Sequence, residues 1–177
     1  LGRLDQLFYP FACELDSESV KQLIDAFLVE IDEIKAPANM PFAIGGTDVQ
    51  GKMTVNDMSY MLLDAYHRVP THNTKLHLLI SKDMPRDMIE QALDGVRRGY
   101  NSIVFMSDEK VIESLVALGE DKADATNYHV VGCYECGADG ELTCSCNARV
   151  NLPMTLELAL NRGKTMLGEQ QVGLDND

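Results

Sequence analysis

Four cysteines crowd one short stretch of this chain, at positions 133, 136, 144 and 146, and they are the residues with the most chemistry to offer. Their spacing is C-x2-C-x7-C-x-C. Read bare, Cys133 and Cys136 make a plausible zinc knuckle, but Cys144 and Cys146 stand closer than paired zinc ligands usually do. The same Cys133-x-x-Cys136 also suits a redox disulfide. A third reading is a single catalytic thiol. Spacing alone leaves all three open. The fifth cysteine, Cys13, makes the count odd, and no charged-then-apolar N-terminal segment marks a secretory signal, so a disulfide scaffold is disfavoured.

The elements that must hold this loop follow from hydrophobic periodicity. Val20, Leu23, Ile24, Phe27, Leu28, Ile31 and Ile34 recur at helical spacing, which predicts a helix over 16–36, capped by Asp16 or Ser17 and stopped by Pro37. Residues 42–44 read as a short strand ended by Gly45-Gly46, and 54–68 as a second helix. Residues 76–80 read as a buried strand. A third helix starts near Asp83 with Pro85 in its first turn and ends at Gly99. A strand over 103–106, a helix from Asp108 to Gly119 and a strand over 128–131 come next. The last helix opens at Asn151-Leu152-Pro153 and ends near Gly163. Strand and helix alternate, so the expected fold class is α/β with a mostly parallel sheet. Chemistry in such folds gathers at the carboxyl ends of strands, and the cysteine loop directly follows the strand that ends at Val131.

With 177 residues and 45% apolar composition the chain can bury one core. The net charge of −13 is scattered rather than run together, which argues against a nucleic-acid or anionic-membrane partner and leaves small molecules open. No apolar run is long enough to span a bilayer. His67, His72 and His77 stand five apart and match no standard metal pattern, and the nine methionines fall mostly at helical core positions. The chain opens on Leu1 rather than Met, which reads as a piece of something longer.

The residues around the cysteines narrow the choice. Gly132-Cys133-Tyr134-Glu135, followed by Asn151-Leu152-Pro153-Met154-Thr155-Leu156-Glu157 and on to Gly163, resembles the G-C-x-E loop and N-L-P-x-x-L-E helix of glycyl radical enzymes. Gly45-Gly46 with Val55-Asn56-Asp57-Met58-Ser59-Tyr60, Gly2-Arg3-Leu4-Asp5-Gln6 with Tyr9-Pro10, and Gly168-Glu169-Gln170 resemble further segments of that family, in family order over nearly the whole chain.

The resemblance implies that 1–177 is part of a ten-stranded α/β barrel of the pyruvate formate-lyase-like kind, with a cysteine finger loop over about 132–150. It implies a lyase or dehydratase in which Cys133 becomes a thiyl radical and Glu135 serves as general base or proton shuttle for a small polar metabolite. It implies no cofactor bound by the chain itself, a glycyl radical stored elsewhere and installed by a radical S-adenosylmethionine activating enzyme, a cytoplasmic homodimer as parent, and no membrane or nucleic-acid partner. The glycyl motif R-V-x-G-[YF] is absent from these residues, so the chain alone is expected to be inactive. Cys136 replaces the proline common after the Glu; Cys144-Ser145-Cys146-Asn147 replaces the His-Asp pair of diol-dehydrating members, which points away from diols; and the single cysteine at the tip points away from pyruvate cleavage. The alternatives carried beside this are a cysteine-rich zinc-binding module and a catalytically inert structural fragment.

Overall fold

The structure is a computed structural model, and it describes residues 1–12, 14–34, 40–100, 102–132, 134–138 and 150–166. Two units are distinguished, Leu1–Thr143 and Cys144–Asp177. In the first, β1 (Met40–Gly45), β2 (Thr74–Ile80) and β3 (Ile103–Ser107) form a parallel sheet in the order β1-β2-β3. Each neighbouring pair is joined by one helix, α3 (Asp57–Arg68) and then α4 (Arg86–Arg97). Both helices pack on the same sheet face, with Leu62 and Met88 against Phe42, Ile44, Leu76 and Leu78. Two successive right-handed crossovers therefore wind the same way, placing both helices in one layer on one face of the sheet. α1 (Leu4–Ala12) and α2 (Ser17–Glu33) extend the same layer.

Local chemistry sets these boundaries. Asp16 accepts from the backbone N–H groups of Glu18 and Ser19 at 3.1 and 3.0 Å and so starts α2. Asn56 and Ser59 form a reciprocal capping box, which starts α3 at Asp57, three residues later than periodicity suggests. The stripe of α2 is narrower than its sequence implies: Val20, Ile24, Leu28 and Ile31 are buried, whereas Leu23 and Ile34 are exposed. The backbone N–H of Ala43 donates to the carbonyl of Gly2 at 2.9 Å, and Arg3 bridges Ala43 in parallel, so residues 1–3 line the outer edge of β1.

The other sheet face carries a different layer. After α5 (Asp108–Leu118) and the one-turn α6 (Lys122–Thr126), β4 (His129–Val131) and β5 (Glu135–Gly137) form an antiparallel hairpin. Tyr128, Val130 and Cys136 pack there with Ala43, Leu79 and Met106. The strands expected near 42–44, 76–80, 103–106 and 128–131 are all present, but β4 does not extend the parallel sheet. It turns back on itself, because Gly132 has φ of +60° and lets the chain reverse within three residues. In the second unit, Asn151 caps α7 (Leu152–Leu160) by accepting from the Met154 N–H at 3.1 Å, and Gly163 follows with φ of +83°.

Candidate active site

The hairpin brings the two ends of the G-C-x-E motif together. Val131 pairs with Glu135, so residues 132–134 are the whole connection. Cys133 itself lies outside the described residues, as do Cys13, Cys144 and Cys146. Its two sequence neighbours are placed. The Glu135 side chain folds back over them: one carboxylate oxygen, Oε2, accepts from the Tyr134 N–H at 3.0 Å. The same oxygen stands 2.8 Å from where a Cβ on residue 132 would be. Glycine at 132 is therefore required twice, for its left-handed backbone and for the space the carboxylate occupies. The acid is set on the backbone that flanks Cys133 on both sides.

Around the hairpin the surroundings are largely apolar, and two of the titratable groups there are held neutral. Cys136 is half-buried, its Sγ 3.6 Å from the carbonyl of Tyr134, and burial, with the Glu135 charge beside it, pushes the thiol up to about 11. A thiol held protonated at neutral pH is a poor nucleophile for disulfide exchange. His77 of β2 is fully buried; burial and the nearby Lys75 ammonium lower it to about 4, so it is neutral. Its Nδ1 lies 3.0 Å from Met106 Sδ. The Tyr134 ring stands edge-on to His77 at 6.3 Å, with the Lys75 Nζ 5.0 Å from its centroid. Lys75 and His77 belong to the first half of β2. The tip thus lies over the face of the sheet, not at the carboxyl edge where the strand-end rule would put it. The reason is the reversal at Gly132, which lays the hairpin across the sheet instead of projecting a loop past its end.

A second cluster, at the carboxyl ends of β1 and β3, was not foreseen from the sequence. The Arg3 guanidinium donates to the carbonyls of Gly45 at 2.7 Å, Thr47 at 3.0 Å and Thr126 at 3.4 Å, and to Thr54 Oγ1 at 2.6 Å. Asp5 is fully buried and accepts from the N–H of Gly45 at 2.7 Å and from Ser59 Oγ at 2.6 Å. Burial raises its pKa, against the pull of those two donors. Asp108, also fully buried, accepts from Thr47 Oγ1 at 2.7 Å and adjoins the Tyr128 hydroxyl; burial raises it too. The segments 2–6, 45–46 and 55–60, noticed separately in the sequence, meet here. In the sequence each stood out as a separate family segment, and nothing there indicated a common location. Among the described residues no three His, Cys, Asp or Glu side chains converge as metal ligands do, and no helix is long and apolar enough to cross a membrane.

Comparison with known proteins gives the arrangement its setting. The family model described as pyruvate formate lyase-like matches residues 1–177. This chain belongs to the pyruvate formate lyase-like family. Among members of that family and its relatives, the chain is 26% identical to a trans-4-hydroxy-L-proline dehydratase of Clostridioides difficile over 98% of its length, covering 25% of that protein. It is also 26% identical to an isethionate sulfite-lyase of Oleidesulfovibrio alaskensis over 98% of its length, covering 24% of that one. The chain thus spans about a quarter of the curated relatives it matches. The crystal structure of the hydroxyproline dehydratase with substrate bound superposes with a TM-score of 0.75 at 26% identity, over 98% of this chain and 25% of that one. A glycyl radical enzyme from Archaeoglobus fulgidus shares the fold at a TM-score of 0.77 and 23% identity, over 99% of this chain and 25% of that one.

Proposed function

We propose that this chain is the part of a glycyl radical lyase or dehydratase that carries the hydrogen-abstracting cysteine, Cys133. In this reading a radical is stored on a glycine elsewhere in the protein, put there by a radical S-adenosylmethionine activating enzyme, and relayed to Cys133 when substrate is bound. The Cys133 thiyl takes a hydrogen atom from a substrate carbon: the C–H bond breaks, an S–H bond forms, and a carbon radical remains. Glu135 exchanges a proton with a neighbouring substrate group, and a leaving group departs by elimination, dehydration or C–C or C–N cleavage. The thiol then returns its hydrogen atom to the product radical. The protein would work in the cytoplasm as a homodimer, with the three parallel strands as an arc of a ten-stranded barrel closed around the hairpin.

The observation that carries the reading is the Glu135 carboxylate set against residues 132 and 134, on either side of Cys133. In this reading, an acid held on both flanks of Cys133 serves as the proton-transfer group for the substrate. The zinc alternative gains nothing from the geometry, and the raised Cys136 thiol does not favour the redox one. The test uses the full-length protein, activated anaerobically, with trans-4-hydroxy-L-proline and isethionate among the substrates tried, since relatives are named for acting on these. Cys133→Ser should still show the glycyl radical by electron paramagnetic resonance but lose turnover, because a hydroxyl O–H bond is too strong to serve as relay. Turnover by that variant, or failure of the activated parent to form a glycyl radical, would overturn the proposal.

A further inference from the structure

Three buried polar atoms lie together at the root of the hairpin: Arg3 Nε has no hydrogen-bond partner, and Asp108 Oδ1 and the Tyr128 hydroxyl face each other without ideal hydrogen-bond geometry, close enough for the carboxylate to act on the phenol. Such atoms are costly inside a protein, so a cluster of them calls for a physical reason. Their surroundings supply one. Asp108 is the first residue of α5, where a carboxylate suits the positive helix end, and its Oδ2 accepts from Thr47, two residues past β1. The Tyr128 hydroxyl adjoins the same carboxylate from one residue before β4. Arg3 closes the ring, donating both to the Thr47 carbonyl on the sheet side and to the Thr126 carbonyl at the hairpin root. Gly46 makes room: a Cβ there would stand 3.0 Å from Asp108 Oδ1 and 3.3 Å from Arg3 Nη2.

We infer that Asp108 is a positioning residue, a latch whose carboxylate, bonded by Thr47, faced by the Tyr128 hydroxyl and braced by Arg3, fixes the root of the β4–β5 hairpin and through it the placement of Gly132, Tyr134 and Glu135. The hairpin has only three paired positions of its own, too few to hold a pose without an anchor. At its far end Tyr134 makes ring contacts with His77 and Lys75. The carboxylate joins three elements distant in sequence, so loosening it frees the hairpin without opening the parallel sheet. Its bearing on catalysis rests on the radical reading; the latch itself does not.

Peptide-resolved hydrogen–deuterium exchange on the full-length protein tests this without any turnover assay. Thr47→Val and Tyr128→Phe each remove one hydroxyl and little volume. Each should speed exchange in peptides covering 129–137 by on the order of tenfold, while peptides covering β1 and β2 keep their protection. Thr47→Ser, which restores the hydroxyl, should return hairpin exchange to the parent rate. The inference is overturned if the hairpin stays as protected as in the parent, if sheet and hairpin loosen together, or if Thr47→Ser fails to rescue. Loss of turnover in Cys133→Ser bears on the radical reading and leaves this outcome unaffected.

Discussion

At the scale of single residues, the turn at 132 and the acid at 135 form one device. Gly132→Ala must place a methyl group on left-handed backbone, which costs about 1–2 kcal/mol, and against a carboxylate oxygen 2.8 Å away. The carboxylate has to swing off the turn. We expect Gly132→Ala to fold, to retain the glycyl radical after activation, and to lose turnover at least as severely as Glu135→Gln. For Glu135→Gln, which keeps shape but removes the titratable proton, the expected loss in kcat is on the order of 10²–10⁴-fold. Cys136→Ala, by contrast, should cost about 1 kcal/mol in stability and leave kcat nearly unchanged, since its thiol packs against Val130 and Tyr128 and stays protonated. Steady-state kinetics and thermal melts on the three variants separate these outcomes. The sequence singled out Cys133 and Glu135 through a motif that sets them two residues apart; of the two, the structure describes Glu135. The meeting of Arg3, Thr47, Asp108 and Tyr128 was not legible, because Arg3 and Thr126 lie 123 residues apart and only folding joins them.

At the scale of elements, the contact between α3 and α4 turns on a glycine that propensity would remove. Gly95 sits inside α4, where alanine is better by about 1 kcal/mol. A Cβ there would fall 2.1 Å from His67 Nε2, and the His67 ring is held by stacking on Tyr100 at 5.3 Å. The clash outweighs the helix gain. Gly95→Ala should therefore destabilise by about 1–3 kcal/mol. Adding His67→Ala should recover much of it, which a double-mutant cycle in urea measures. Where α2 meets the segment before β2, Asp32 accepts from the N–H of His72 at 2.6 Å, the N–H of Asn73 at 2.8 Å and the His72 ring at 3.0 Å. Burial acts to raise Asp32, but these donors win and hold it below the ordinary carboxylate value of 3.8. A depressed carboxylate stabilises the fold above its unfolded pKa and loses that contribution as pH falls through the folded one. The parent's stability should thus drop below about pH 4, and Asp32→Asn should flatten that part of the stability-versus-pH curve.

The sequence announced the long elements well, because α2, α3 and α4 each carry a buried stripe between recognisable caps. It hid α6, which is five residues long, and β5, whose residues Glu135, Cys136 and Gly137 have little strand character. It also hid α1, whose Pro10 reads as a stop although it falls near the helix end. The error over β4 has the same root. A three-residue strand carries no information about which partner it will choose.

For the whole molecule, apolar side chains left in water set the expected behaviour of residues 1–177 on their own. Phe11, Leu118, Leu152 and Leu160 are each more than 70% exposed, and the outer edge of β3 has no strand partner among the described residues. Exposed apolar surface beside an unpaired edge promotes association. The isolated chain should bind a hydrophobic dye strongly and sediment as more than one species, and a monodisperse monomer with sharp, cooperative unfolding would contradict this. The order β1-β2-β3 has a further consequence, one of time. Each strand pairs with the strand made just before it, so during synthesis the sheet can grow as the chain emerges, by contacts only a few tens of residues apart. The Arg3 contact to Thr126 spans nearly the whole unit and cannot form until the last of it is made. The hairpin should be the last part to gain protection in a pulse-labelled refolding experiment, so the segment proposed to carry the chemistry is assembled only onto a finished frame.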